Sequence, residues 1–478
     1  MGSYWGIGAG IAVLAFTAAG HAQEARPFHL EETTIQSVHQ AFAAGQLTCV
    51  QLTRAYLDRI EAYNLRGPAL RAVLTVNPRA LETAAEMDRA YAANPSAVGP
   101  LHCVPIVLKD NFNTADMPTT AGNVSMKSSL PKTDAFTVDK IRKAGALILG
   151  KTNLQEFARG GLSISSLGGQ VLNPYDLTRT PGGSSGGTGA AVAANLALIG
   201  TGSDTGQSIR SPSSANSLVG IRPTRGLVRR ARGIPNSQTQ DEVGPLARTV
   251  RDAALLLDVM AGYDPADPIT AFGKGRTPKS YTELLSRDAL KGARIGVLTN
   301  MSGNEERHRE VNAVMQRAIA KMEELGATAV RMALPEYDAL ASRVITSDYE
   351  ARTVMDRYFA TLPPDAPVKS FAELVAAKTS AVQATLEQEI AVVDGMNSQA
   401  YKDRMLNRDK LRLAVAKFMA DNNLDAVLYP HQRILVAPAN SRDQFERNGT
   451  LSNSTGFPAV TFQAGFSAPT QTGPLGVP

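Results

Sequence analysis

Short apolar runs rich in β-branched residues alternate with segments of helical periodicity along nearly the whole chain, and this alternation narrows the fold most. The runs are "AVLTV" at 72, "VPIVLKD" at 104, "ALILGKT" at 146, "LALIGTGSD" at 196, "ARIGVL" at 293, "DAVLYP" at 425 and "PAVTFQ" at 458. Helical spacing of apolar residues appears at 33–43, 50–63, 79–93, 246–262, 305–325, 370–394 and 402–422. Such alternation predicts a layered α/β architecture. The runs recur from residue 72 to residue 463 with no spacer between them, so one large domain over 23–478, with a helical insertion at about 300–425, is expected rather than two independent units.

Charge and special residues exclude several function classes. The net charge of +5 is spread thinly, and the one basic cluster, "RPTRGLVRRAR" at 222–232, lacks interleaved aromatics. It reads as a solvated surface turn, and nucleic acid is not an expected partner. The six histidines form no HExxH or HxH pattern, so no metal is expected. Cys49 and Cys103 are the only cysteines, too few for a disulfide framework, and whether they pair stays open. Residues 6–19 are apolar or small, too short a run to span a bilayer, and Gly20 and Ala22 are placed for cleavage before Gln23. Residues 1–22 are therefore read as a secretory signal. A periplasmic or secreted protein with no stable membrane insertion of the mature chain follows, or a cytoplasmic one if the leader is not functional. A homodimer is compatible with the sequence.

Three polar stretches interrupt the apolar pattern. The first, "RTPGGSSGGTGA" at 179–190, has linker composition, but "AAVAANLALIGTGSD" follows it directly and is core sequence. It also satisfies GxSxG twice, yet the elbow of a serine hydrolase needs a strand before the serine, and here the polar "NPYDLTRTP" precedes it. The second, "GTGSDTGQSIRSP" at 200–212, opens from a strand end into a turn whose backbone N–H groups lack ladder partners. Converging, such groups would make an oxyanion hole. Asp204 and Arg210 are spaced to pair across this turn, either as a plain structural ion pair or as its support. The third is Lys109, at the end of an apolar strand with Asp110 pointing to the opposite face. Charged, it lacks a counter-ion. Neutral, with its pKa lowered by burial from about 10.4, it would serve as a general base.

Together these stretches resemble the amidase signature family. The motifs are "GGSSGG" at 182–187, "GSDTGQSIRSPSS" at 202–214 and "VPIVLKD" at 104–110, in the family's order, with Ser184 lying 24 residues before Ser208. "NLQEFARG", "NPYD", "VGIRPTRG", "DEVGPLARTVRDAALLLDVMAG" and "TGFPAV" are similar as well. The resemblance runs from about residue 35 to the C-terminus and is densest at 100–262. It implies an α/β fold with a mixed, mostly parallel sheet of about ten or eleven strands flanked by helices on both faces. It also implies a Ser-Ser-Lys triad: Ser208 as nucleophile, Ser184 as bridging serine on a cis peptide bond, and Lys109 as base. Backbone N–H groups of Thr205, Gly206, Gln207 and Ser208 would form the oxyanion hole. Ser185 would orient Ser184 and Lys109 through hydrogen bonds, and Asp204 and Arg210 would support the nucleophile turn.

The sequence departs from the family pattern in places. Gln207 and Cys103 stand where glycine is common, and the chain stops at "GPLGVP", where relatives continue with another core strand, so a truncated C-terminal strand is expected. The implied activity is hydrolysis of a linear carboxamide C–N bond through an acyl-enzyme, without metal or cofactor and relaxed towards aryl amides, carbamates (urethanes) and esters, so the expected partner is a small-molecule amide, carbamate or ester. Two other readings remain: a Ser-His-Asp esterase using Ser184 or Ser185 with His431, and an inactive scaffold whose oxyanion hole is blocked by Gln207. Segments 123–131 and 340–400 are expected to line the pocket.

Overall fold

The computed structural model describes residues 28–230 and 232–478, so the expected leader at 1–22 lies outside the described residues. Twelve strands form in chain order among them: β1 (Val73–Val76), β2 (Pro105–Lys109), β3 (Leu147–Thr152), β4 (Ile164–Ser165), β5 (Gly169–Gln170), β6 (Ile199–Asp204), β7 (Val219–Arg222), β8 (Glu242–Ala247), β9 (Arg294–Leu298), β10 (Thr328–Met332), β11 (Ala426–Leu428) and β12 (Ala459–Thr461). Seven make a mixed sheet in the order β1-β3-β2-β6-β8-β7-β12, three make a second sheet in the order β10-β9-β11, and β4 and β5 form a small ribbon.

The expected α/β class holds, while the strand arrangement differs from the expected one. Two sheets of seven and three strands replace a single sheet of ten or eleven. In the larger sheet only β2–β3 and β2–β6 are parallel, and β1–β3, β6–β8, β7–β8 and β7–β12 are antiparallel, so it is mixed rather than mostly parallel. The cause is local. No helix intervenes between β7 and β8, and a chain returning without a crossover pairs antiparallel. The second sheet is wholly parallel.

Parallel pairing at the centre positions the site. Ile106 lies opposite Ile199 and Val107 opposite Gly200, so β2 and β6 finish at the same end of the sheet. Lys109, the last residue of β2, therefore arrives beside Ser203 and Asp204, the last residues of β6. The open space beyond the carboxyl ends of parallel strands is where α/β sheets hold ligands.

Helices seal this sheet. Helix Cys49–Tyr63 buries Cys49, Leu52, Tyr56 and Ile60 at helical spacing and is capped by the Thr48 hydroxyl, which accepts from Gln51 N–H. Each such buried aliphatic contributes about 1.5–3 kcal/mol, so Leu52→Ala would loosen this helix first. Helix Gly186–Ala193 is wholly buried up to Val192. Its glycines permit close approach: a Cβ at residue 187 would collide with the backbone oxygens of Asn153 and Ala72. Cys49 and Cys103 form a disulfide, which settles the pairing question and joins this helix to the segment entering β2. Cys103 has φ +54°, a left-handed conformation that favours the glycine common at this position.

The basic cluster at 222–232 is not a solvated turn. Arg222 is buried, its Nη1 2.9 Å from Asp204 Oδ1 and its Nη2 donating to Gln240 O at 2.8 Å, and Arg229 is buried too. Spacing alone shows charge density; it does not show that acceptors from other strands converge on it. The helical pattern at 370–394 also divides, into Phe371–Ala376 and Gln383–Ile390. Between them Thr379 Oγ1 meets Ser125 Oγ at 2.7 Å and Ala381 N–H donates to Glu156 Oε2 at 3.2 Å. Tertiary acceptors have overridden helical propensity there.

Candidate active site

Lys109 is fully buried, and its neighbours are hydroxyls and a carbonyl rather than a carboxylate. Its Nζ lies 2.7 Å from Ser184 Oγ, 2.8 Å from Ser203 Oγ and 3.4 Å from Ser203 O. Burial pushes the ammonium pKa down to about 7, against the weaker opposite pull of Asp204 and Asp241. At neutral pH about half of such an amine is unprotonated and able to accept a proton.

Ser184 follows a cis peptide bond, Gly183–Ser184, and precedes the helix Gly186–Ala193. Ser185 does not bond to Ser184 or Lys109 directly, as the resemblance implied. Its hydroxyl donates to Ser203 O at 3.2 Å, the carbonyl that Lys109 also approaches, and its N–H donates to Ser208 O at 3.3 Å. The loop carrying Ser184 is thereby fastened to the turn carrying Ser208. Among the described residues no hydrogen bond joins the Ser184 and Ser208 hydroxyls, a looseness common in sites without substrate.

The turn after β6 is held from below. Asp204 Oδ2 accepts from Arg210 Nε at 3.1 Å and from Ile209 N–H at 3.1 Å; Oδ1 accepts from Arg210 Nη2 at 3.1 Å and Arg222 Nη1 at 2.9 Å. Burial opposes ionisation of Asp204, but Arg210 and Arg222 outweigh it and hold the carboxyl well below the usual range. The expected Asp204–Arg210 pair is present, with Arg222 as a third member that sequence spacing did not reveal.

The carbonyls of the turn face outward: Gly206 O accepts from Arg210 Nη2 at 2.6 Å and Asn453 Nδ2 at 3.0 Å, and Thr205 O accepts from Gln240 Nε2 at 3.2 Å. The backbone N–H groups of Thr205, Gly206, Gln207 and Ser208 donate to no protein acceptor among the described residues. Four unspent donors on a turn fixed by its carbonyls are what a developing oxyanion requires.

Ser203 and Asn111 are the residues that sequence reading missed. Asn111 Nδ2 donates to Ser203 Oγ at 3.0 Å, so that hydroxyl accepts from both Lys109 and Asn111 and is fixed in place. A polar residue two positions after Lys109 was the available signal. His431 and His308 make no hydrogen bond to Ser184, Ser185 or Ser208 among the described residues. Nε2 of His308 lies 2.6 Å from Glu446, and burial, with Arg210 and Arg447 adding to it, drives His431 well below the ordinary histidine pKa.

Part of each segment expected to line the pocket shares one apolar cluster with Phe157, of the short 3-10 turn Glu156–Ala158: Met126, Met355 and Tyr358. A cavity of about 670 Å³ lies elsewhere, between β9, β11, β12 and helix Arg309–Glu324; it includes Arg210 but not Lys109, Ser184 or Ser208. No group of three or more His, Cys, Asp or Glu with metal-holding geometry occurs among the described residues, and no helix there is long and apolar enough to cross a membrane.

A family model described as Amidase matches residues 51–477. The chain is 37% identical to the peptide amidase of Stenotrophomonas maltophilia, whose structure superposes with a TM-score of 0.84 over 95% of this chain and 93% of that one. It is 33% identical to a probable amidase of Arabidopsis thaliana over 84% of this chain and 80% of that protein. It is 39% identical to a glutamyl-tRNA(Gln) amidotransferase subunit from Thermosynechococcus vestitus over 68% of this chain, a match spanning 66% of that relative's length.

Proposed function

The chain belongs to the amidase family, and on that premise we propose that it hydrolyses a linear carboxamide C–N bond through Lys109, Ser184 and Ser208. The observation that carries the reading is the uncompensated burial of Lys109 against the Ser184 hydroxyl, one loop away from four unspent N–H groups. Neutral Lys109 takes the proton of Ser184, which takes that of Ser208, and Ser208 Oγ bonds to the substrate carbonyl carbon. The carbonyl oxygen becomes an oxyanion held by the N–H groups of residues 205–208. Ser184 then returns the proton to the leaving nitrogen as the C–N bond breaks, so the amine departs neutral. Water enters by the same proton path, bonds to the acyl carbon and releases the acid and Ser208.

The substrate class carried by this reading is a small linear amide, with aryl amides, carbamates and esters as accessible variants. The histidine-dependent reading finds no geometric support, since neither His308 nor His431 is bonded to a candidate serine. The blocked-scaffold reading is also disfavoured: the Gln207 carboxamide lies against Arg447, which leaves its backbone N–H unspent. An exported protein fits the Cys49–Cys103 disulfide, a bond that persists in oxidising compartments. A mature N-terminus at Gln23 is the corresponding mass-spectrometric expectation.

The test is turnover of p-nitroanilides from acetyl to decanoyl and of an aryl carbamate by wild type, Lys109→Ala, Ser184→Ala and Ser208→Ala. Wild type turns over at least one of them, and each variant falls by roughly 10³-fold or more. Retained activity in Lys109→Ala would end the proposed mechanism.

A further inference from the structure

Apart from the Ser184 hydroxyl, the acceptors around Lys109 Nζ all belong to Ser203, which offers its hydroxyl at 2.8 Å and its carbonyl at 3.4 Å. Both are shared with other donors. Asn111 Nδ2 donates to the hydroxyl at 3.0 Å, and the Ser185 hydroxyl donates to the carbonyl at 3.2 Å. A hydroxyl oxygen has two lone pairs, so Asn111 leaves one of them for the lysine. An ammonium needs acceptors for three N–H bonds, whereas a neutral amine needs two and keeps a lone pair. Competition for the acceptors on Ser203 therefore penalises the charged form more than the neutral one.

The setting of Asn111 fits this contact. The residue is buried, and its backbone carbonyl accepts from Ile234 N–H at 2.8 Å, which pins it beside β6. Its Oδ1 is buried without a partner among the described residues, and an acceptor left unpaired in that way is destabilising. What the side chain contributes is the donor aimed at Ser203. The charged groups near Lys109 are engaged elsewhere. Asp204, at the end of β6, is held by Arg210 and Arg222, and Asp110 pairs with Lys151 of β3. Asp241 accepts from Thr205 Oγ1 and from the N–H groups of Asn236 and Ser237. The pull of Asp204 and Asp241 towards the ammonium is weaker than the opposing effect of burial.

We propose that Asn111, acting through Ser203 Oγ, is a positioning residue that denies Lys109 Nζ an acceptor the ammonium would use and so keeps the amine ready for the Ser184 proton. The inference rests on the amide-hydrolysing reading for the part played by Lys109. It goes beyond that reading in assigning the protonation state of the base to a residue outside the triad.

Nuclear magnetic resonance of protein carrying carbon-13 at the lysine Cε follows the titration of Lys109 with no turnover required, its signal assigned by its disappearance in Lys109→Met. Asn111→Ala should raise the midpoint, and Asn111→Asp should raise it by about one pH unit or more, because a carboxylate one hydroxyl away favours the ammonium. In a Ser203→Ala background, Asn111→Ala should move the midpoint no further, since the contact it acts through is gone. The acid limb of kcat/KM on a p-nitroanilide that wild type hydrolyses should follow. Asn111→Asp should be about fivefold slower or worse at pH 7 and should recover as pH rises through the new midpoint. A loss of equal size at every pH, a midpoint unmoved in both Asn111 variants, or the same Asn111→Ala shift with and without the Ser203 hydroxyl would overturn the proposal. A midpoint that moves as expected in a protein that hydrolyses no amide would leave the Asn111 contact standing and sink the amidohydrolase reading instead.

Discussion

Two lysines are fully buried at the ends of adjacent parallel strands, Lys109 on β2 and Lys151 on β3, and their surroundings differ in one respect. Lys151 Nζ has a carboxylate, Asp110 Oδ1, at 2.9 Å. Lys109 has two hydroxyls and a carbonyl. Burial lowers the pKa of both, and Asp110, with Asp116 and Asp134 behind it, pulls Lys151 back towards its charged form. Asp110 sits beside Lys109 in sequence but faces Lys151, because consecutive strand residues point to opposite sides. One residue of register therefore separates a structural ion pair from a base.

The largest effect that would break this comparison is on activity. Lys109→Met should lower kcat/KM by roughly 10³-fold or more, while Lys151→Met should leave turnover within about tenfold of wild type once folded protein is compared. Equal losses in steady-state kinetics would mean that the two lysines do not differ in role.

Stability should sort the same pair in the opposite order. Lys151→Met strands the Asp110 carboxylate and should cost about 3–5 kcal/mol in urea unfolding, with part recovered by adding Asp110→Asn. Lys109→Met removes a penalty instead. The unfolded chain titrates near 10.5 and the folded one at about 7, so the unfolded state holds more protons between those values. Wild-type stability from this group therefore rises with pH across that window, and at or below pH 7 the full penalty is about 5 kcal/mol before lost hydrogen bonds are counted. The advantage of Lys109→Met should shrink as pH approaches 10, and a constant advantage would contradict a depressed pKa.

The smallest effect comes from an acid of opposite sign two strands away. Burial pushes Glu242 up to about 7, although Arg230, Arg222 and Arg225 pull it down. The folded state then holds more protons between about 4.5 and 7, and stability falls as pH rises through that range. Glu242→Gln should stabilise the protein by about 1–3 kcal/mol at pH 8 and leave it unchanged near pH 4. Thermal melts at both values decide it.

Much of this was legible in the sequence, for identifiable reasons. Apolar strand runs followed by Lys109 or by a Gly-Ser-Thr turn marked where β2 and β6 end, because a charge or a loss of ladder partners is costly inside a core. β8 was not legible: Pro245 argues against a central strand, yet it lies opposite Thr201 between β6 and β7. Arg222 was equally silent, since its role depends on Asp204 and Gln240, 18 residues away on either side and brought to it only by the folded sheet.

The sequence by itself determined the α/β class, the order of the motifs and the chemical types at the site, because periodicity, glycine loops and an isolated lysine are local signals. Only the tertiary structure decided the remaining partners of the buried charges: Asp110 with Lys151, Arg222 as the second arginine on Asp204, and hydroxyls for Lys109. Pairing is a matter of distance in three dimensions, and a few ångströms in a low-dielectric interior separate a spectator ion pair from a group held ready to react.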